Sequence, residues 1–244
     1  MSRIRLDVAL EQRGLAPSRA RARDAILRGT VRVNGEPARK PNQQVLESDE
    51  IALEDPASGY VSRAALKLIA GLDAAGFDPA GKVCLDLGAS TGGFTQVLAE
   101  RGAARVYAVD VGHGQLHASV GALGQVVSME GTNARDLTAE TIADPIDLLV
   151  SDVSFVSLIK IIDAPSALCR AGAQAILLIK PQFEVGRDNV GKGGIVLPGA
   201  HVKASVAAVF EHMRTLGWSV KGMWDSPLRG GDGNTEYLAA LVKG

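Results

Sequence analysis

Residues 82 to 95, Lys-Val-Cys-Leu-Asp-Leu-Gly-Ala-Ser-Thr-Gly-Gly-Phe-Thr, restrict the folds open to this chain more than any other stretch. Val83 to Leu87 is a short apolar run closed by Gly88, the pattern of a buried parallel strand. Thr95 to Glu100 then continues as a helix. Between strand and helix, Gly88, Gly92 and Gly93 let backbone N–H groups approach a ligand at the positive end of the helix dipole. A ligand is expected at this turn.

Glycines alone leave three site types open. The dinucleotide fingerprint G-x-G-x-x-G wants glycine at position 90, where this chain has Ser90. Gly88-Ala-Ser90-Thr-Gly92 also satisfies G-x-S-x-G, the nucleophile elbow of the α/β hydrolases. That fold needs a later acid and then a His near its end, but the last His here is His212, inside an expected helix. In the third reading, Asp86 and Gly88 with Gly92 and Gly93 resemble the first motif of Rossmann-like S-adenosylmethionine (SAM) methyltransferases. A second strand, Arg105 to Val109, ends in Asp110, about twenty residues past the turn, where a carboxylate accepts the ribose hydroxyls of a bound nucleoside. Asp110 serves SAM and NAD equally.

With 244 residues the chain has room for one large domain and a small one. Its 46% apolar and 22% charged residues describe an ordinary soluble globular protein. No apolar run approaches the ~20 residues of a membrane span, and the start Met1-Ser-Arg-Ile-Arg-Leu-Asp lacks the apolar core of a signal peptide. A cytoplasmic location and no membrane partner are expected. Cys84 and Cys169 have no C-x-x-C partner and no His at metal-ligand spacing, so both read as core thiols and no metal is expected. The overall charge of −1 hides an asymmetry. Residues 1 to 40 carry ten Lys and Arg against four acids, a local balance of +6 that suggests a polyanion held at one end.

Within that basic segment, Leu6 to Arg13 reads as a helix, and Ser18 caps a second helix that Gly29 ends after Arg28. Val31-Arg-Val-Asn34-Gly35 is alternation followed by a hairpin turn, and Glu50 to Leu53 makes another strand. Arg5-Leu6-Asp7, Ser18-Arg19, Ala22, Ile26, Gly29 and Val31-x-Val33-Asn34-Gly35 together resemble the small RNA-binding domain named after small-subunit ribosomal protein four. The resemblance implies that Arg5, Arg19, Arg21, Arg23 and Lys40, with Ser18 beside them, face RNA phosphates. Such contacts anchor without reading sequence. Asp55-Pro-Ala-Ser-Gly-Tyr60 has linker composition. The expected organisation is an α+β RNA-binding domain over 1–56, a linker over 57–61 and a larger domain over 62–244.

Ser62 is a possible cap for the helix that follows, where Ala64, Leu68 and Leu72 share an apolar face and Lys67 lies beside it, by itself a surface lysine. After the glycine turn and the second strand, Gln125 to Met129 is a third strand leading to Thr132-Asn133-Ala134-Arg135-Asp136, a polar loop suited to an adenine edge. Ile146 to Val150 is a fourth strand running into Ser151-Asp152-Val153-Ser154-Phe155, and a helix is expected over Val156 to Cys169. Ala173 to Ile179, the fifth strand, ends at Lys180-Pro-Gln-Phe-Glu184. Strands alternating with helices imply a parallel sheet, which binds ligands beyond its C-terminal strand ends, so Gly88, Asp110, Asp152 and Lys180 share one rim. Residues 185 to 198 are rich in glycine and read either as a mobile flap near the substrate or as a plain surface excursion. A long helix over about 199 to 216 precedes strands Ser219 to Trp224 and Tyr237 to Val242, joined closely enough to be antiparallel. The expected fold class is α/β: a Rossmann-like, seven-stranded, mostly parallel sheet closed by an antiparallel hairpin.

Lys67, Asp152, Lys180 and Glu236 match, in order and local context, the tetrad of ribose 2′-O-methyltransferases resembling the FtsJ type. Ser62-Arg63, Ser151 to Phe155, Lys180 to Glu184 and Gly233-Asn234-Thr235-Glu236 are similar to the TlyA, or hemolysin A, family across essentially the whole chain. Ala64-Ala65 and Gly131 depart from its pattern, and the short N-terminus resembles the compact branch associated with large-subunit rRNA. The resemblance implies SAM as cofactor, held by Asp86, Gly88, Ser90, Gly92, Gly93, Phe94, Thr95, Asp110, Asn133, Ala134 and Asp152. It also implies ribosomal RNA or a ribosomal subunit as partner; the residues specify no oligomeric state. Lys180 would deprotonate or steer the hydroxyl, Asp152 orient Lys180, and Lys67 and Glu236 position the ribose. A non-catalytic RNA-binding assembly factor, a membrane-lytic protein, and a methyltransferase acting on a small molecule or protein are the competing readings.

Overall fold

The computed structural model describes residues 3–244; Met1 and Ser2, the first residues of the expected RNA-binding segment and of the start read above for a signal peptide, lie outside the described residues. The chain divides into two compact units, one ending at Gly59 and the other spanning Tyr60–Gly244.

The first unit comprises β1 (Arg3–Arg5), α1 (Leu6–Gln12), α2 (Arg19–Arg28), β2 (Val31–Val33), β3 (Glu36–Pro37), β4 (Gln44–Leu46) and β5 (Ile51–Leu53). Ser18 caps α2 by accepting a hydrogen bond from the Arg21 amide, and Gly29, at φ 79°, ends it in the left-handed region. Asn34 and Gly35 both have positive φ, 51° and 81°, as a two-residue hairpin turn requires. Sequence periodicity does not reveal β1 and β4, which stabilise one another by antiparallel pairing between distant stretches, Arg3 opposite Leu46 and Arg5 opposite Gln44. Leu6, Leu10, Ile26 and Val31 form the fully buried centre. So small a core leaves a unit of this size marginal, and polar ties supplement it. Arg28 reaches Asp24 and, with both terminal nitrogens, Asp55, while Arg13 donates to the carbonyls of Leu46, Glu47 and Asp49. Two of the arginines in the basic segment are therefore structural.

The second unit comprises α3 (Ala65–Ala75), β6 (Val83–Leu87), α4 (Gly93–Glu100), β7 (Arg105–Asp110), α5 (Ala118–Gly121), β8 (Val126–Glu130), β9 (Ile146–Ser151), α6 (Asp163–Leu168), β10 (Cys169–Ile179), α7 (Pro181–Glu184), α8 (Ala200–Thr215), β11 (Trp218–Asp225) and β12 (Tyr237–Lys243). Its sheet has the order β11-β12-β10-β9-β6-β7-β8. β6 to β10 are mutually parallel, and β12 is antiparallel to both β10 and β11. This is the expected seven-stranded sheet with a closing hairpin. Alternation along the strands feeds two cores. Leu85, Leu149, Leu177 and Ala239 pack on the face that receives Val206, Val209 and Met213 of α8, while Cys84, Leu148, Ile176 and Leu238 pack on the face that receives Leu68 and Leu72 of α3. Both cysteines are buried and free, as core thiols should be. Among the described residues, no helix is long and apolar enough to cross a membrane.

Two local expectations fail. Val156 to Cys169 is not one helix but a 3₁₀ turn at Leu158–Lys160 followed by α6. Pro165 explains the break, because proline lacks an N–H and its ring clashes with the carbonyl four residues earlier, so it is tolerated only in a helix's first turn. Ser62 does not cap α3, whose N-cap position is Ala64; its hydroxyl instead accepts from the Ala64 amide in the preceding turn.

Candidate active site

Strand register assembles the site. Leu87 pairs with Val109 on one side and Ser151 on the other, and Ser151 pairs with Leu177. Ile179 pairs with Tyr237. Gly88, Asp110, Asp152, Lys180 and Glu236 each stand at or one residue beyond these pairs, at the same end of the sheet, where carboxyl ends of parallel strands leave an open crevice.

That crevice holds a cavity of about 350 Å³ lined by Gly88, Ser90, Asp110, Asn133, Ala134 and Asp152, among others. A smaller one, about 160 Å³, adjoins it through Gly88, Ser90, Asp152 and Ser154 and reaches Gly93, Phe94 and Lys180. Gly88 has φ 80°, and a Cβ there would stand 3.1 Å from the backbone C and O of Asp152, so only glycine fits between the two loops. Asp110 spans the rim: one carboxylate oxygen accepts from the Ser90 amide at 2.8 Å and the other from the Gly112 amide at 2.8 Å. Each oxygen keeps a second lone pair. Ser90, without being glycine, takes φ 46°, a conformation secured by that bond. Asn133 accepts from the Arg135 amide and caps the short 3₁₀ turn whose first residue is Ala134.

Asp86 and Thr95 line neither cavity. Both are fully buried beneath the turn, where the Thr95 hydroxyl donates to Asp86 at 2.6 Å. Burial pushes the Asp86 carboxyl up to about 7, against the opposing pull of the Thr95 bond. They lie beneath the turn and not on either cavity wall. Gly92, the N-cap of α4 at φ 96°, likewise lies outside both cavities.

The four tetrad residues form two ion pairs. Lys180 Nζ lies 2.6 Å from Asp152 Oδ1 and also donates to Ser154 Oγ at 2.7 Å. Lys67 Nζ donates to Glu236 Oε2 at 2.5 Å. Lys67 is 6% exposed, which corrects its reading as a surface lysine: α3 turns it inward because a buried carboxylate waits there. Gly230 stands close against Glu236: a Cβ at that position would meet Glu236 Oε1 at 2.8 Å and Gln182 Nε2 at 3.6 Å.

Four further neighbours of the site lie inside the motifs that carry the family resemblance, which assigned them no role. Ser154 touches Lys180. Phe155 is 91% exposed on the cavity wall with φ 66°, its ring 5.5 Å from that of Phe183. Glu184 accepts from the Ser157 hydroxyl and the Leu158 amide, bracing the loop after β9 against α7. Asn234, 2% exposed, donates to the Gly194 carbonyl and accepts from the Val196 amide, clasping the glycine-rich segment two residues before Glu236. Of these, Phe155 carried a signal in the sequence, an aromatic residue in a polar loop beside Asp152; the others are defined by distant contacts.

In the first unit, Asp7 is 1% exposed and gathers two arginines: Arg5 donates to it through two nitrogens at 2.9 Å and Arg19 at 3.0 Å. The Arg5 bond is the largest of the contacts that hold the Asp7 carboxyl down at about 2. Arg21 donates to the Ala57 carbonyl, Ser18 spends an oxygen lone pair as a helix cap, and Arg23 and Lys40 are exposed.

The FtsJ-like methyltransferase family model matches residues 60–243 and the S4 domain model matches residues 4–51. A Mycobacterium tuberculosis protein named 16S/23S rRNA (cytidine-2′-O)-methyltransferase TlyA is 46% identical over 240 residues, which cover 98% of this chain and 90% of that protein. A solved structure from Streptococcus thermophilus, named provisionally as a hemolysin, has a TM-score of 0.77 at 37% identity and covers 100% of this chain and 89% of its own. Fibrillarin from Aeropyrum pernix with bound S-adenosyl-L-methionine shares the fold, with a TM-score of 0.54 at 17% identity over 87% of this chain and 94% of its own.

Proposed function

The chain belongs to the FtsJ-like methyltransferase family, in its TlyA (hemolysin A) branch, and from that membership we propose that it methylates the 2′-hydroxyl of a cytidine ribose in ribosomal RNA, with SAM as methyl donor. The residues present fit that cofactor. Gly88 leaves backbone room on the wall of the larger cavity, the free lone pairs of Asp110 suit ribose hydroxyls, and Asn133 and Ala134 would hold the adenine end. When bound, SAM supplies an electrophilic sulfonium methyl group.

The observation that carries the reading is the pairing of two lysines with two carboxylates, drawn from four separate stretches, at the sheet end that also holds the glycine turn. A ribose 2′-hydroxyl is a very weak acid and must lose its proton as its oxygen attacks, a step to which a positioned base contributes ~10²- to 10⁴-fold. Lys180 is that base and acts as the neutral amine, which Asp152 orients toward the cavity. Lys67 and Glu236 fix the ribose so that attack is in line.

The basic face of the N-terminal unit docks the RNA. Asp7 holds the Arg5 and Arg19 guanidiniums together, and Arg21, Arg23 and Lys40 add phosphate contacts, with Ser18 supporting the helix that bears three of these arginines. The working division is an RNA-binding domain over 1–56, a linker over 57–61 and a methyltransferase domain over 62–244. A ribosomal substrate puts the activity in the cytoplasm.

Transfer of tritium-labelled methyl groups from SAM to ribosomal subunits tests this. Wild-type protein labels the RNA, and Lys180→Ala does not, while it still binds SAM and RNA. A Lys180→Ala variant that labels RNA at near wild-type rate rejects the assigned base.

A further inference from the structure

We propose that Ser154 is a positioning residue for the base, aiming the Lys180 lone pair at the substrate; the inference rests on the reading of Lys180 given above. Lys180 Nζ donates to Ser154 Oγ at 2.7 Å and, over a longer 3.5 Å, to the Asp152 carbonyl; Asp152 Oδ1 stands 2.6 Å away as its ion-pair partner, outside hydrogen-bond geometry. A neutral lysine amine has two N–H bonds and one lone pair in a tetrahedral arrangement. One acceptor fixes one N–H and leaves the amine free to turn about that bond, so the lone pair sweeps a cone. Two acceptors take both N–H bonds, and the lone pair is left with a single direction. The Ser154 hydroxyl and the Asp152 carbonyl are those two acceptors. The proton of the ribose hydroxyl then passes to the Nζ lone pair, and the resulting ammonium has three N–H bonds, two of them still received by the same acceptors.

The loop is shaped to hold Ser154 in that role. Ser154 lines both cavities and so stands where donor and acceptor would meet. The residue after it, Phe155, is held at φ 66°, a left-handed conformation that a bulky side chain rarely adopts and that turns the chain sharply just past the hydroxyl. Farther along, the Ser157 hydroxyl and Leu158 amide are fastened to Glu184 of α7, the helix that starts directly after Lys180. The loop and the lysine are thus braced against one another, and the hydroxyl cannot drift from the amine without breaking these bonds.

The test compares the full-length Ser154→Ala, Ser154→Thr and Lys180→Ala variants on ribosomal subunits, measuring kcat, KM for RNA, SAM affinity and the pH dependence of kcat. Ser154→Ala is expected to lower kcat by ~10- to 100-fold, a part of what a positioned base contributes, with SAM affinity and KM within about twofold of wild type. An accepting hydroxyl stabilises the ammonium over the amine, so its loss is expected to move the acid limb of the kcat profile to lower pH. Ser154→Thr, which keeps the hydroxyl, recovers both kcat and limb. If Ser154→Ala keeps wild-type kcat and limb while Lys180→Ala is inactive, the role of Ser154 is wrong and that of Lys180 stands. If Ser154→Ala loses SAM affinity and kcat together with an unmoved limb, Ser154 only shapes the pocket and the inference fails. A Lys180→Ala variant that remains active overturns the underlying reading instead.

Discussion

The Lys67 ammonium and the Glu236 carboxylate, 169 residues apart in the chain, meet at 2.5 Å with their side chains 7% and 2% exposed. Burying two charges is costly, and their attraction compensates only while both are present. Lys67→Ala or Glu236→Ala alone is expected to destabilise the protein by about 3–5 kcal/mol, because each strands a buried charge. The double variant Lys67→Met with Glu236→Leu regains much of that stability yet stays inactive. Thermal unfolding beside methyl-transfer assays checks both halves, and a double variant with restored activity would remove the pair from the chemistry.

Asp86 makes stability depend on pH in an unusual direction. Its folded-state pKa of about 7 lies above the ordinary carboxylate value of 3.8, so between these values the folded protein holds a proton that the unfolded chain has lost. Stability contributed by this group therefore falls as pH rises from about 4 to about 7. Asp86→Asn, which mimics the protonated form, should flatten this part of the curve. Denaturant unfolding at a series of pH values checks it, and an unchanged slope in the variant would place the proton elsewhere.

Phe155 presents an almost fully exposed aromatic face beside the cavity, backed by Phe183. Stacking of an RNA base on such a face is worth about 1–3 kcal/mol. Phe155→Ala is expected to raise KM for RNA at least severalfold and to leave SAM affinity unchanged. Steady-state kinetics with isothermal titration would show it, and an unaltered KM would mean that the ring faces solvent in the complex.

Asn234 fastens residues 194–196 to the loop that carries Glu236. Asn234→Ala leaves a carbonyl and an amide without their partner, at about 1–3 kcal/mol for a buried group. Faster hydrogen exchange across residues 186–196 and a lower kcat are expected together. Exchange that is unchanged in the variant would show that other contacts hold the segment.

Most of the sheet was legible because its signals are local. Val83 to Leu87 with its glycine turn and the Asn34-Gly35 hairpin each announce themselves within about ten residues, the range over which periodicity and turn chemistry act, and the two strands of the closing antiparallel pair are each legible on their own. The burial of Lys67 was not legible, since it depends on a carboxylate from the other end of the domain. The same holds for Ser154 and Asn234, whose roles come from partners 26 and about 40 residues away. β1 and β4 escaped because each is defined by pairing with the other, Arg3 with Leu46 and Arg5 with Gln44, across a long stretch of sequence. The helix expected after Phe155 overlooked a single proline.

The most direct measurement is the chemical identity of the methylated nucleoside. Ribosomal subunits labelled by the purified protein and tritiated SAM would be digested to nucleosides and separated. Recovery of the label in 2′-O-methylcytidine, and its absence with Lys180→Ala, is the predicted result; label in a base-methylated nucleoside, or none in RNA, would contradict it.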